Sequence, residues 1–153
     1  MPHNDGKRQG NMVTTRTAEE VSLAKRAFRP KITVFHCFNA ADLAFENNGD
    51  CELKAVKMPC SSMTREVFLL RAFEAGADAV LVLACPEGAC RHVSGNLRAA
   101  RRVARVKKML DEIGLGGGRL NIFNVTQGDD TAVEHILKET LAGLEALGTN
   151  PVS

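Results

Sequence analysis

The sequence predicts an α/β fold: one domain in which a parallel four-stranded sheet carries helices on both faces. Its length of 153 residues suits one domain with a hydrophobic core. Short apolar runs rich in β-branched residues alternate with longer segments of helical period. One such run, residues 79–84, is continuously apolar, as expected of a strand buried on both sides. This alternation is typical of parallel strands joined by helices.

Residues 1–30 are predicted to form an N-terminal arm, ahead of an α/β domain spanning residues 31–150. The first 16 residues are polar and lack periodicity. Thr17 and Glu20 then have the spacing of a capping box, which predicts a short helix as far as Phe28. No apolar leader segment is visible, and the five cysteines are an odd number. We therefore expect a cytoplasmic, reducing location.

The domain is predicted to begin with two strands. Lys31–Cys37 is β-branched and aromatic, as in a buried strand. Asn39–Asp50 is expected to be a loop or short helix, with a turn at its end. Leu53–Met58 alternates apolar and basic residues, which predicts a strand exposed on one face.

The rest of the chain continues the alternation, with Gly76, Gly114–Gly118 and Gly148 as breaks between elements. Ser94 is the predicted N-cap of the longest helix. The remaining elements are helix Thr64–Ala75, strand Ala79–Ala84, a helix to about Ile113, strand Leu120–Val125 and helix Asp130–Leu147. A strand order of 2-1-3-4 gives a flavodoxin-like or Rossmann-like sheet.

Composition excludes several functional classes. The formal net charge is only +2, and Trp and Tyr are absent, so neither a basic field nor stacking aromatics favour nucleic acid. No apolar run reaches the roughly 20 residues that span a bilayer. The glycine-rich phosphate-binding motifs of nucleotide-binding folds are also missing.

Four cysteines lie at or just past the ends of predicted strands: Cys37, Cys60, Cys85 and Cys90. The carboxyl ends of parallel strands meet at one edge of a sheet, so these thiols are expected to converge. Convergent cysteines in a small chain indicate a metal, a cluster or thiol chemistry.

The segment Cys85–Cys90 is the strongest local motif. Its two cysteines have the C-x4-C spacing found in plant-type ferredoxins, while zinc sites favour shorter spacings. Three alternatives remain open: a structural zinc module, a cluster-free scaffold, and a thiol enzyme. In the thiol enzyme, Cys85 or Cys90 would be the nucleophile and His92 the base.

The other cysteine and two histidines are expected to be structural. Cys51 stands at the start of a strand, so it should lie at the opposite edge of the sheet. His36 and His92 neighbour the candidate cysteines and are possible nitrogen ligands, but we interpret them as ordinary loop or interface histidines.

Several motifs together resemble the iron–sulfur delta subunit of methyl-viologen-reducing hydrogenases. Met58-Pro59-Cys60-Ser61 is similar to that family's Pro-Cys-Ser-Gly element, and Gly76-Ala77-Asp78 precedes the third strand in both. Cys85, Cys90, Gly95-Asn96 and Arg101-Arg102 follow in step. The first strand and Ala41-Asp42-Leu43-Ala44 also match, so the resemblance covers roughly residues 31–125.

The resemblance implies an electron-transfer subunit with a [2Fe–2S] cluster held by Cys37, Cys60, Cys85 and Cys90. It implies no catalytic residue of its own. Its partners would be a heterodisulfide-reductase-type flavoprotein and a hydrogenase or other donor, within a multi-subunit complex. The chain departs from the family after strand one, where it keeps only Cys37 of a Cys-x-x-Cys pair. Near the last cysteine, Ala89 and Arg91-His92 replace the usual Asp and His-Tyr.

The longest predicted helix is strongly basic. Arg98, Arg102 and Arg105 share one face at helical spacing. That face is either simply solvated or a docking surface for an acidic partner.

Overall fold

The computed structural model describes residues 29–41, 50–90 and 92–152. A single sheet contains four parallel strands in the order β2-β1-β3-β4. Both the fold class and the strand order therefore agree with the prediction. The strands are β1 (Lys31–Cys37), β2 (Glu52–Met58), β3 (Ala79–Ala84) and β4 (Leu120–Asn124). The helices are α1 (Glu66–Glu74), α2 (Gly95–Glu112) and α3 (Asp130–Leu147), and two short 3-10 turns span Ser61–Met63 and Gly117–Arg119.

Helices cover both faces of the sheet, because side chains of a strand point alternately to its two sides. On one face Val80 and Val82 pack with apolar residues of α1 and α2. On the other face Leu81 and Leu83 pack with Val133 and Ile136 of α3. All six residues of β3 are buried, as its apolar run predicts for a central strand.

The element boundaries differ from the predictions mainly after β2. The predicted helix from Thr64 starts only at Glu66, because Ser61–Met63 forms a separate 3-10 turn that the sequence pattern does not reveal. Ser94 does occupy the N-cap of α2, but its side chain makes no capping hydrogen bond. The predicted arm helix to Phe28 lies outside the described residues. Most of the predicted segment Asn39–Asp50 lies outside them as well.

The longest helix buries one apolar stripe against the core. Ala99, Val103, Val106 and Leu110 face the core at spacings of three and four residues. Leu97 is about half exposed. The N-terminal turn of α2 instead buries Gly95 and Asn96, which brings the helix start against the cysteine-bearing loops.

The amino edge of the sheet is closed by a buried polar network around Arg119. Its guanidinium donates to five backbone carbonyls, and its side chain is 3% exposed. The acceptors are the carbonyls of Leu115, Asp78, Gly148, Leu147 and Thr149. Asp78 in turn accepts from the amides of Lys31 and Asn150. These contacts fix the segment after α3 beneath the sheet.

The carboxyl edge is where the strand order reverses. From β1 the chain moves outward to β2 and then returns past β1 to β3, so the switch point of the sheet lies between β1 and β3. Such switch points are the usual ligand sites of open α/β sheets. Within the described residues, no helix is long and apolar enough to cross a membrane.

Candidate metal centre

Cys37 and Cys85 form a buried pair of thiols at the switch point. Cys37 is the last residue of β1, and Cys85 directly follows β3, which is the neighbouring strand. Both are 2% exposed, and their sulfurs lie 3.5 Å apart. Two thiolates on one tetrahedral metal lie about 3.8 Å apart when each metal–sulfur bond is about 2.3 Å. The pair is thus spaced for two ligands of a single metal ion.

Cys60 and Cys90 form a second group against the start of α2. A Cβ atom added to Gly95 would overlap the sulfur of Cys60 and would lie 3.2 Å from the sulfur of Cys90. Both sulfurs therefore occupy the space that any other residue at position 95 would fill. Glycine at this position is a requirement of the site rather than of the helix.

Hydrogen bonds hold Cys60 in a tight turn. The Ser62 amide and hydroxyl lie 3.5 Å and 3.2 Å from the Cys60 sulfur, and both donate to it. Cys60 is 4% exposed and is the N-cap of the Ser61–Met63 turn. These two donors fix the position of the Cys60 sulfur within the turn.

Arg102 ties this turn to α2. Its guanidinium donates to the carbonyl of Ser62 and, at 3.4 Å, to that of Thr64. Its Nε also lies 3.9 Å from a carboxylate oxygen of Glu66, which pairs with Arg105 at 2.9 Å. Two of the three arginines of the expected docking face, Arg102 and Arg105, therefore make contacts within this chain. Arg102 positions the loop that carries Cys60.

Cys90 lies in the loop just before α2, and amides of the first residues of α2 donate hydrogen bonds to its sulfur. Burial raises the pKa of the Cys90 thiol, but hydrogen bonds outweigh burial and hold the pKa below its ordinary value. The donors are the backbone amides of Asn96, His92 and Gly95 and the Cys60 side chain. The helix dipole favours negative charge at the same place.

Cys85 has the opposite tendency. Burial, the hydrogen bond with Cys37 and the charges of Cys37, Cys90 and Cys60 together raise the pKa of the Cys85 thiol to about 12. The same contributions show that Cys37, Cys90 and Cys60 each lie close enough to Cys85 to disfavour its thiolate. Ionising Cys85 beside these thiols would require a compensating cation, which a bound metal would supply.

The Asn96 side chain anchors the loop that carries Cys85. Its amide nitrogen donates to the carbonyls of Cys85, at 3.2 Å, and of Pro86, at 3.1 Å. Asn96 is 4% exposed. From the sequence, Gly95-Asn96 stood out only as part of a resemblance. The signal for this role was a Gly-Asn pair at the start of a basic helix, shortly after a cysteine.

The structure separates the other candidates from the four thiols. Cys51 precedes β2 at the amino edge, so a strand of seven residues, about 23 Å long, lies between it and the Pro59–Cys60 loop. Its side chain is buried, as the structural interpretation expects. The Nδ1 atom of His36 lies 3.0 Å from the carbonyl oxygen of Ala41, and the ring is buried. The His92 side chain is exposed and, among the described residues, makes no hydrogen bond to a sulfur.

The donors form two pairs rather than one set around a point. Within residues 29–41, 50–90 and 92–152, no three His, Cys, Asp or Glu side chains converge on a position for one ion. A [2Fe–2S] cluster does not require that convergence, because its two irons share four cysteines. The first pair, Cys37 and Cys85, lies at the ends of β1 and β3, and the second, Cys60 and Cys90, lies beside Gly95.

A separate cavity lies away from the four thiols. It has a volume of about 700 Å³ and lies between α1 and the exposed face of β2. None of the four thiols lines it. A shallower depression at the carboxyl edge, lined by Phe38, Lys57, Pro59 and His92, neighbours the candidate metal centre.

Comparison with known proteins identifies relatives of this chain. Residues 32–148 match the family described as the delta subunit of methyl-viologen-reducing hydrogenase. The chain is 36% identical, over 80% of its length, to an iron–sulfur subunit of the F420-non-reducing hydrogenase vhu of Methanocaldococcus jannaschii, of which the match covers 96%. The corresponding protein of Methanococcus maripaludis is 35% identical, with coverage of 80% and 96%.

A second type of relative contains a similar domain within a longer chain. Over 96 residues, or 63% of its length, this chain is 29% identical to one polypeptide of the ferredoxin/F420H2-dependent CoB-CoM heterodisulfide reductase of Methanosarcina acetivorans. The match covers 12% of that polypeptide.

Proposed function

Because the chain belongs to the delta-subunit family of methyl-viologen-reducing hydrogenase, we propose that it is an electron-transfer subunit of an oxidoreductase complex. The names of its relatives support this role, since they are iron–sulfur subunits of hydrogenases. A domain similar to this chain is also fused into a polypeptide of a heterodisulfide reductase. The chain itself is proposed to relay electrons rather than to transform a substrate.

The proposed electron carrier is a [2Fe–2S] cluster held by Cys37, Cys60, Cys85 and Cys90. The observation that carries this assignment is the pairing of thiols at the switch point, with a 3.5 Å separation in the Cys37–Cys85 pair. When bound, the cluster supplies a group that takes up and releases one electron at a time. Although the chain keeps only Cys37 of the family's Cys-x-x-Cys pair, it still has the four cysteines that a [2Fe–2S] cluster needs.

The surrounding residues prepare the site for such a group. Ser62 and the amides at the start of α2 donate hydrogen bonds to sulfur, which stabilises negative charge. Asn96 and Arg102 hold the two loops at fixed positions on α2. The ends of β1 and β3 and the start of α2 thus limit movement of the four cysteines. Ligands that move little when the cluster changes charge favour rapid electron exchange.

The proposed partners are a heterodisulfide-reductase-type flavoprotein and a hydrogenase or another electron donor, in the cytoplasm. The fused relative supports the first partner, because fusion places a similar domain permanently within such a reductase. Exposed apolar side chains near the cysteine loops are suited to a protein contact at this edge: Phe38, Met63, Val93 and Leu97.

Anaerobic purification followed by metal analysis and spectroscopy tests the proposal. We expect about two irons and two sulfides per chain, visible absorption, and an EPR signal of spin one-half after reduction with dithionite. Stoichiometric zinc without visible absorption would instead favour the structural zinc module. A chain that binds neither metal after anaerobic reconstitution with iron and sulfide would support the cluster-free scaffold.

A further inference from the structure

The side chain of Ser61 is an anomaly in the described structure. The residue is fully buried, and within the described residues its hydroxyl has no hydrogen-bond partner. Its backbone is ordinary, since the carbonyl accepts from the Thr64 amide at 3.0 Å. Buried hydroxyls in folded proteins nearly always have a partner, because an unpaired one costs stability. An acceptor for this hydroxyl is therefore expected.

Ser61 lies next to a candidate ligand, so a loaded metal centre would bring sulfur acceptors close to this turn. It directly follows Cys60 and begins the 3-10 turn of residues Ser61–Met63. This turn packs against β1, β3 and α2, which are the elements that carry or flank the other three cysteines. The next residue, Ser62, already directs two donors at the Cys60 sulfur. The turn is thus rich in donors beside the thiols, and within the described residues one of its hydroxyls is unused.

We propose that the Ser61 hydroxyl donates a hydrogen bond to a sulfur of the loaded metal centre and thereby raises its reduction potential. This inference rests on the proposed cluster. Sulfur that carries negative charge is a better acceptor than a neutral thiol, so the bond forms when the centre is loaded. Reduction adds further negative charge, and a donor stabilises the reduced form more than the oxidised form. Ser61 is a positioning residue in this scheme and not a ligand.

The test is the variant Ser61→Ala in the full-length chain, measured in two states. Without metal, we expect the variant to resist urea at least as well as the wild type, because it removes an unpaired buried hydroxyl. Loaded with cluster, it should keep its iron but have a lower reduction potential in a spectroscopic redox titration. A tenfold loss in the equilibrium constant of reduction corresponds to about 59 mV for a one-electron couple.

Two further variants calibrate this shift. Ser62→Ala removes a hydroxyl that lies 3.2 Å from the Cys60 sulfur, so it should lower the potential by a similar amount. Ser94→Ala removes a hydroxyl that does not cap α2, so it should leave the potential unchanged.

The outcomes separate this inference from the proposed function. A loaded Ser61→Ala chain with the wild-type potential would overturn the role of Ser61 alone. Equal destabilisation of the variant with and without cluster would also overturn it, since a purely structural hydroxyl behaves in that way. A wild-type chain that binds no cluster would overturn the proposed function, and the Ser61 proposal with it.

Discussion

The sulfur of Cys37 lies 3.5 Å from the sulfur of Cys85, although 48 residues separate them along the chain. The two cysteines meet because β1 and β3 are parallel neighbours whose carboxyl ends coincide. We expect Cys37→Ser and Cys85→Ser each to reduce cluster iron from about two per chain to near zero. Iron and sulfide analysis after anaerobic reconstitution provides the measurement.

Cys51→Ser is the matched control for these two variants. It replaces a buried cysteine at the amino edge of the sheet, so cluster content should stay at the wild-type level. Loss of iron in Cys51→Ser, or its retention in Cys85→Ser, would contradict the proposed ligand set.

Gly95→Ala should damage the metal centre through a steric clash. The added methyl would overlap the sulfur of Cys60, and it would meet that of Cys90 at 3.2 Å. We expect the free energy of unfolding of the metal-free chain to fall by about 1–3 kcal/mol, as overpacking typically costs. Bound iron should fall as well.

Gly143→Ala distinguishes a clash at the thiols from a general effect of alanine. Gly143 lies within α3, and a Cβ there would have nothing within 4 Å. That variant should gain about 0.5–1 kcal/mol in a denaturant titration and retain its cluster. Equal behaviour of the two glycine variants would exclude the steric role of position 95.

Arg102→Ala should release the loop that carries Cys60. The substitution removes the hydrogen bonds to the Ser62 and Thr64 carbonyls, and Arg102→Lys should restore them only in part because lysine lacks the planar fork. We expect faster loss of iron to a chelator and a destabilisation of about 1–2 kcal/mol.

Arg105→Ala tests whether loss of an ion pair with Glu66 alone could cause the faster iron loss expected of Arg102→Ala. Arg105 is mostly exposed and pairs with Glu66 on the protein surface, so its replacement should change stability by less than about 0.5 kcal/mol. If both arginine variants lose iron at the same rate, Arg102 has no special role in the loop.

The thiols of the reduced, metal-free chain should react with iodoacetamide at very different rates. At pH 8 a thiol with a pKa of about 12 is ionised in roughly one molecule in ten thousand, which makes Cys85 slow to react. Cys90 should react first, because hydrogen bonds lower its pKa and its side chain is partly exposed. Mass spectrometry of peptides from timed samples gives the order of alkylation.

The pH dependence of these reactions has a definite sign. The alkylation rate of Cys85 should rise about tenfold for each pH unit between 8 and 11, because only the thiolate reacts. Cys90 should level off at a lower pH, since its pKa is lowered. If the alkylation rates of Cys85 and Cys90 had the same pH dependence, the opposite pKa shifts inferred for these two thiols would be wrong.

Arg119→Met should destabilise the fold without touching the thiols. Five carbonyls would lose a charged donor at the amino edge, where the side chain is buried. We expect a loss of about 3–5 kcal/mol in the free energy of unfolding. Arg101→Ala, on the exposed side of α2, should cost less than about 0.5 kcal/mol by the same urea titration.

Local patterns in the sequence predicted the elements well. The continuous apolar run of residues 79–84 is the fully buried β3, since only a central strand of a parallel sheet needs apolar residues on both faces. The alternation in Leu53–Met58 predicted an exposed face, and β2 is an edge strand. The boundary near Thr64 was wrong, because a 3-10 turn of three residues has no periodic signal.

Long-range roles of side chains were not visible in the sequence. Arg102 was interpreted as part of a solvated or docking face, because its helical spacing matches Arg98 and Arg105. Its contact with the Ser62 carbonyl joins residues 40 positions apart and depends on how α2 crosses the preceding turn. The same applies to Asn96 and Ser61, whose meaning depends on burial and on neighbours distant in the chain.

The sequence by itself determined that four cysteines stand at strand ends, because strand periodicity and turn residues are local properties. It also determined that parallel strands would bring those ends to one edge. Only the tertiary structure decided how the thiols are grouped. The strand order places Cys37 beside Cys85, and the missing Cβ of Gly95 leaves room for the sulfurs of Cys60 and Cys90. Distances between residues far apart in the chain follow from packing, which no local pattern encodes.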